Sequence, residues 1–333
     1  MTRKTLLYKE QNFSLTHFEW DQQSEYVVPV LLVPSIMVSS KVFDLTDSHN
    51  FVKYLLENGF SVYSVDFNNP SRSDAKLRLD DYVLDFLYRS VHMTRKHSGA
   101  KQISLLGYCL GGTFSLAYAG MSHRAKNDIK NVINIAGPVG GKDIKFFNYI
   151  FKPFKNRWFA YTEEYGFLPG NTIKFLFKVS NPLLSLKRFF YLFKLFNKEY
   201  RERYKAVSDL FHNMKNIPEV TFKQCFEILE NNTLVDGKLI LMDQNIKLSN
   251  LEASMLNIAG TQDGFIPKKS VEILGKHIVS DDYEFKEFPF GHLSILASSK
   301  AKETIWKECV SWLKERSCNF SEKRQCEQAA VTR

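Results

Sequence analysis

Ser104-Leu-Leu-Gly-Tyr-Cys-Leu-Gly-Gly-Thr-Phe-Ser-Leu116 decides the fold. Gln102 to Leu106 reads as a buried strand and Leu110 to Met121 as a helix, with only Gly107-Tyr-Cys-Leu-Gly111 between them. A strand that turns into a helix this abruptly forces its central residue into a strained backbone. Side chains two positions to either side would collide, and glycine at 107 and 111 removes them. Cys109 is thereby lifted onto the helix N-terminus, where unpaired N–H groups and the helix dipole favour an anion. The alternative is a buried cysteine in a tight turn.

The pattern is that of the α/β-hydrolase nucleophile elbow, with sulfur in place of oxygen. It predicts that the Leu110 N–H forms half of an oxyanion hole. The other half would come from the loop after the first strand, near Ile36 or Met37.

On either side of the elbow, apolar β-branched runs alternate with amphipathic stretches. Val27 to Val33 reads as the first strand, Phe51 to Asn58 as a helix stopped by Gly59, and Phe60 to Phe67 as a strand. Leu79 to His97 reads as a long helix with Asp80 or Asp81 capping its start and Gly99 after its end. Asn131 to Ile135 is a further strand. The rhythm stops at about Lys142 and resumes with strands at Ser254 to Ala259 and Tyr283 to Phe288, with helices near Lys268 to His277 and Lys300 to Glu315. The expected class is α/β: a mostly parallel, doubly wound sheet over 1–141 and 246–316, a helical cap inserted over 142–245, and a polar tail over 317–333.

In this fold an acid and then a histidine follow the nucleophile, each after a late strand. Asp263 follows Ser254 to Ala259, and His292 follows Tyr283 to Phe288. Other histidines compete less well. His92 and His97 fall on the long helix, His49, His123 and His277 read as surface positions, His17 precedes the core, and His212 falls in the cap, where it could line the site. His292 would serve as base to Cys109, with Asp263 orienting the imidazole. A thiol that attacks a thioester forms another thioester and keeps the acyl group activated, which favours acyl transfer over hydrolysis. A hydrolase or thioesterase using the same three residues is the alternative.

The net charge of +9 is concentrated: residues 142–205 carry 14 basic and 5 acidic side chains, and also 12 of the 28 phenylalanines. No nucleic-acid-binding signature accompanies them, so the charge suits an anionic small molecule better than nucleic acid. Within it Leu184 to Phe196 reads as an apolar helix carrying Lys187, Arg188 and Lys194, which could guide the anionic groups of a substrate, form a dimer interface or touch a hydrophobic surface, or simply pack on the core. No apolar run is long enough for a membrane span, and the basic N-terminus lacks the apolar segment of a secretory signal, so a cytoplasmic protein is expected. Five cysteines without C-x-x-C spacing suggest neither a metal site nor a disulfide framework; Cys225 and Cys309 read as core, Cys318 and Cys326 as incidental.

Taken together, the elbow Gly107 to Gly112 (GYCLGG), the stretch Pro29 to Asp66, Asn69-Pro-Ser-Arg72, Leu79-Asp-Asp-Tyr82, Leu234-Val-Asp-Gly-Lys238 and the Asp263 and His292 loops resemble the polyhydroxyalkanoate synthase family over roughly residues 26–315. The likeness is to its short catalytic subunits. It implies that Cys109 is acylated by 3-hydroxyacyl-CoA, a substrate rather than a cofactor, and that no cofactor or metal is needed. His292 would be the base, with Asp263 activating the 3-hydroxyl for elongation. A second synthase subunit, a homodimer and a polyester granule surface are the implied partners. The chain departs from the family at Leu210 to Asn213, where a tryptophan motif is common, and at Gly264 and Ser294.

Overall fold

The computed structural model describes residues 2–121, 124–180 and 197–320. Its main sheet has eight strands: β1 (Arg3–Lys9), β2 (Phe13–Glu19), β3 (Val30–Val33), β4 (Val62–Phe67), β5 (Ile103–Tyr108), β6 (Ile129–Ile135), β7 (Ser254–Gly260) and β8 (Tyr283–Phe288). They lie side by side in the order β1-β2-β4-β3-β5-β6-β7-β8. Only β2 runs against its neighbours. The β3-β4, β3-β5, β5-β6, β6-β7 and β7-β8 pairs are all parallel. Strands β3 and β5 are buried on both faces, which is why they read as unbroken apolar runs.

The hairpin β1-β2 is a correction, because Val27 to Val33 was expected to open the sheet. Phe13 and Leu15 are fully buried on one face of β2, and Phe13 stacks on Phe86 at 5.0 Å between ring centroids. The alternation in Phe13-Ser-Leu-Thr carried that signal.

Helices α1 (Phe51–Glu57), α2 (Tyr88–Ser98) and α3 (Leu110–Ala119) connect the first parallel strands. The Asn50 side chain caps α1, and Gly59 and Gly99 take positive φ after α1 and α2. Neither Asp80 nor Asp81, the two expected candidates, caps the long helix with its side chain. A π-helical turn, Asp81–Leu87, precedes α2. Asp80 is buried and accepts bonds from Gln224 Nε2 at 2.9 Å and the Met242 amide at 2.6 Å, while Asp81 accepts from the Arg78 amide. Those donors fix the carboxylate between the sheet domain and residues that follow it.

Between β6 and β7 the chain leaves the sheet and forms α5 (Lys155–Tyr165), α6 (Gly170–Ser180), α7 (Lys198–His212) and α8 (Glu219–Asn231), after a short α4 (Arg124–Asp128) that precedes β6. Phe167–Leu168 pairs with Ile217–Pro218, and Leu239–Leu241 with Gln244–Ile246. The chain closes with α9 (Lys268–Glu272), α10 (Ser294–Ala297) and α11 (Lys307–Glu315). The expected helix at Leu184 to Phe196 lies outside the described residues, as do His123, Cys326 and all of the tail past 320.

Two further expectations change. His49 is buried, and its Nε2 lies 2.8 Å from the Leu296 carbonyl, beside Trp306. Cys318 is disulfide-bonded rather than incidental.

Candidate active site

Strand β5 delivers Cys109 to the start of α3 with φ 55° and ψ −130°. That left-handed backbone is costly for a residue with a Cβ, and the neighbouring packing holds it. The Cys109 amide donates to the Ile135 carbonyl at 2.9 Å. A Cβ at position 107 would lie 2.4 Å from the Gly111 carbonyl oxygen, and one at 111 would lie 2.1 Å from that of Val33. Glycine is therefore required at both sites. The second distance also shows that the end of β3 packs directly on the elbow.

Asp263 and His292 occupy the loops after β7 and β8. Asp263 Oδ2 accepts from His292 Nδ1 at 2.7 Å, and Asp263 Oδ1 accepts from the Phe265 and Ile266 amides at 2.9 and 2.8 Å. Both carboxylate oxygens are occupied, and the side chain has no exposed surface. His292 and Cys109 line the same cavity. Burial by itself would depress the His292 imidazole. The charges of Asp263 and Cys109, together with the hydrogen bond that His292 donates to Asp263, outweigh it and raise the group to about 10.

Rings surround the imidazole. Tyr108 lies 5.4 Å from it, Phe265 5.3 Å and Phe177 6.4 Å between centroids, and Phe177 stacks on Phe265 at 3.8 Å. The Tyr108 hydroxyl donates to the His292 carbonyl at 2.9 Å. No sequence motif announced Tyr108, Phe177 or Phe265; aromatic spacing in this phenylalanine-rich chain carries no site signal.

Leu110 opens α3, so its amide belongs to the first helical turn, which lacks intrahelical acceptors. Met37 lines the cavity over Cys109 together with Ser35, Val38, Phe177, Met214 and Leu293. Ile36 is buried and does not line it. His212, placed in the cap by sequence, is exposed and does not line it either; its neighbours Leu210 and Phe211 do. The cavity has a volume of about 30 Å³, room for about one water molecule. Cys109 is 3% exposed. Among the described residues no group of His, Cys, Asp and Glu could hold a metal, and no helix is long and apolar enough to cross a membrane.

A parallel sheet in this strand order, with a cysteine at a strained elbow and an acid and a histidine on the last two strand ends, defines a class, and residues 28–298 match the family described as alpha/beta hydrolase fold. The chain belongs to that family. Among its relatives are the "Poly(3-hydroxyalkanoate) polymerase subunit PhaC" proteins of Haloferax mediterranei, 30% identical over 95% of this chain and 64% of the relative, and of Allochromatium vinosum, 27% identical over 94% and 88%. The chain thus spans just under two thirds of the Haloferax protein's length. The resemblance to polyhydroxyalkanoate synthases read from the sequence is borne out by these relatives. Solved structures with the same fold include a soluble variant of monoglyceride lipase from Saccharomyces cerevisiae, with TM-score 0.61 and 14% identity over 95% of this chain and 97% of that one. A thermophilic esterase from Thermogutta terrifontis gives 0.55 and 13% over 96% and 100%.

Proposed function

We propose that this protein is an acyltransferase that polymerises 3-hydroxyacyl groups from 3-hydroxyacyl-CoA through a thioester on Cys109. The observation that carries the reading is a thiol, rather than a hydroxyl, on the elbow, lining the same cavity as a histidine that Asp263 holds at 2.7 Å. The polymerase names of its relatives supply the substrate class.

His292 Nδ1 faces Asp263, which leaves Nε2 for the thiol. In the first half-reaction the Cys109 proton resides on Nε2 while sulfur attacks the acyl carbonyl. The Leu110 amide and one from the Ile36–Met37 loop stabilise the oxyanion. The carbon–sulfur bond to CoA breaks, and the CoA thiolate takes the proton from the imidazolium. In the second, Nε2 accepts the proton of an incoming 3-hydroxyl as its oxygen attacks the acyl-enzyme. The Cys109 sulfur leaves and is reprotonated. With both its oxygens engaged and its side chain fully covered, Asp263 acts on that hydroxyl through His292 rather than by touching it.

On this reading residues 142–245 form the cap over the acyl site, the protein works in the cytoplasm at a polyester surface, and a second subunit and a second copy of the chain are its partners. Incubation of purified protein with 3-hydroxybutyryl-CoA tests it. Release of CoA with formation of high-mass polyester is expected; free 3-hydroxy acid as the sole product would replace the transferase reading by a thioesterase one.

A further inference from the structure

Lys215 is 8% exposed, and few lysines are buried so deeply without a partner. Its Nζ donates to Asp66 Oδ1 at 2.6 Å and to the Phe67 carbonyl, at the end of β4. Asp66 Oδ2 in turn accepts from Ser40 Oγ at 3.2 Å, in the helical turn that follows the β3 loop. The Lys215 main chain does something separate. Its amide donates to the Met37 carbonyl at 2.9 Å.

These contacts converge on one loop. It leaves β3 at Val33, whose carbonyl oxygen would be 2.1 Å from a Cβ on Gly111, so its start abuts the elbow. Met37 and Met214, the residue before Lys215, both line the cavity over Cys109. The Met37 amide makes only a long contact, 3.4 Å to Ser35 Oγ. Within the loop the Val38 amide closes a turn on the Ser35 carbonyl at 3.1 Å, and Lys215 adds a hold from outside it. The neighbouring Asn216 is tied as firmly: its amide donates to Asn69 Oδ1 at 2.8 Å and its side chain to the Pro70 carbonyl at 2.9 Å. The segment that carries Lys215 is therefore a fixed strut between the inserted helices and the sheet.

We propose that Lys215 is a positioning residue: its ion pair with Asp66 orients its main chain so that the Ser35–Met37 loop is held in register with Cys109 and presents an amide to the acyl oxyanion. A buried ion pair adds little stability over a well-packed apolar pair, but it fixes direction. The proposal rests on the acyl-transfer reading above. It adds that the efficiency of the oxyanion site depends on a cation that touches neither substrate nor thiol.

Lys215→Met keeps the length of the buried stem and removes the charge. Single-turnover acylation of Cys109 by 3-hydroxybutyryl-CoA is expected to slow by about 10- to 100-fold, since losing one oxyanion donor outright costs about 100- to 1,000-fold. KM should stay within about twofold, and alkylation of Cys109 by iodoacetamide should be unchanged, because the thiol and His292 are untouched. Asp66→Asn keeps an acceptor for Lys215 and should show a smaller loss of about three- to tenfold, still in acylation alone. Acylation within about twofold of wild type in both variants overturns the proposal, as does a fall in alkylation parallel to acylation, which marks a purely structural pair. Should Lys215→Met not fold, Asp66→Asn decides. If the wild type forms no acyl-enzyme with the CoA thioester but does with p-nitrophenyl acetate, the substrate reading fails, and the same comparison made with the ester still tests Lys215.

Discussion

The Tyr108 hydroxyl donates to the main-chain carbonyl of His292 at 2.9 Å, so the residue immediately before the nucleophile holds the loop of its partner. The same ring lies 5.4 Å from the imidazole, near-parallel at 30°. Tyr108→Phe keeps the ring and removes the bond. A single neutral hydrogen bond contributes about 1 kcal/mol, so kcat is expected to fall about fivefold with KM little changed. A steady-state assay of CoA release on the folded variant checks it; an unaltered kcat would mean that ring packing alone positions the loop.

Cys109→Ala should abolish acyl-enzyme formation, with turnover down by at least about 10³-fold. Cys109→Ser keeps a nucleophile but produces an oxygen ester of lower energy. Its residual product should shift from polyester toward free acid, which chromatography of the products measures. Undiminished thioester turnover in the alanine variant would show that Cys109 is not the nucleophile.

Asp263→Asn leaves a side chain of nearly the same shape but presents the wrong partner to His292 Nδ1. Because Asp263 reaches the reaction only through His292, acylation and elongation should slow together, on the order of 10³-fold. Rapid-quench measurement of both half-reactions separates this from a direct role on the 3-hydroxyl, in which elongation alone would slow.

Gly112 has a different reason to be glycine from Gly107 and Gly111. A Cβ there would sit 2.0 Å from Asn134 Oδ1. Asn134 cannot easily give way, since its Nδ2 donates to Asn257 Oδ1 at 2.9 Å and to the Gly137 carbonyl at 3.1 Å. Gly112→Ala should cost about 1–3 kcal/mol by overpacking, read as a fall in Tm. Asn134→Ala in the same chain should recover part of that loss.

The raised His292 pKa makes a pH prediction whose sign follows from linkage. A cation favoured by folding stabilises fully below its unfolded value, about 6.5, and that contribution is lost as pH rises through its folded value. For His292 the loss should run toward pH 10. Thermal melts of wild type and His292→Gln from neutral to alkaline pH should converge as pH rises. Curves that stay parallel would show that the ion pair adds nothing to stability.

The parallel half of the sheet and the elbow were legible because both leave a local imprint. β3 and β5 are buried on both faces and therefore continuous in apolar residues. The collisions that demand Gly107 and Gly111 arise within a few residues of the elbow or at the adjoining strand end. Hairpin β1-β2 was missed because its outer strand is exposed and mixes charge with apolar residues along its length. His49 was misplaced because its burial depends on Trp306 and Leu296, far away in the chain. Lys215 and Tyr108 gave no signal for the same reason: each acts across more than 140 residues, through contacts that composition and spacing do not encode.

The apolar wall of the cavity over Cys109 bears on product choice. The space of about 30 Å³ over Cys109 is bordered by methionine, leucine, valine and phenylalanine, so its wall offers a water few of the polar partners that would hold it there. Hydrolysis needs a mobile water at the thioester carbonyl; elongation needs a hydroxyl that arrives attached to its own apolar chain. On the acyl-transfer proposal, a wall that holds water poorly and a hydroxyl that brings its own apolar binding surface would tilt the partition of the acyl-enzyme toward chain growth.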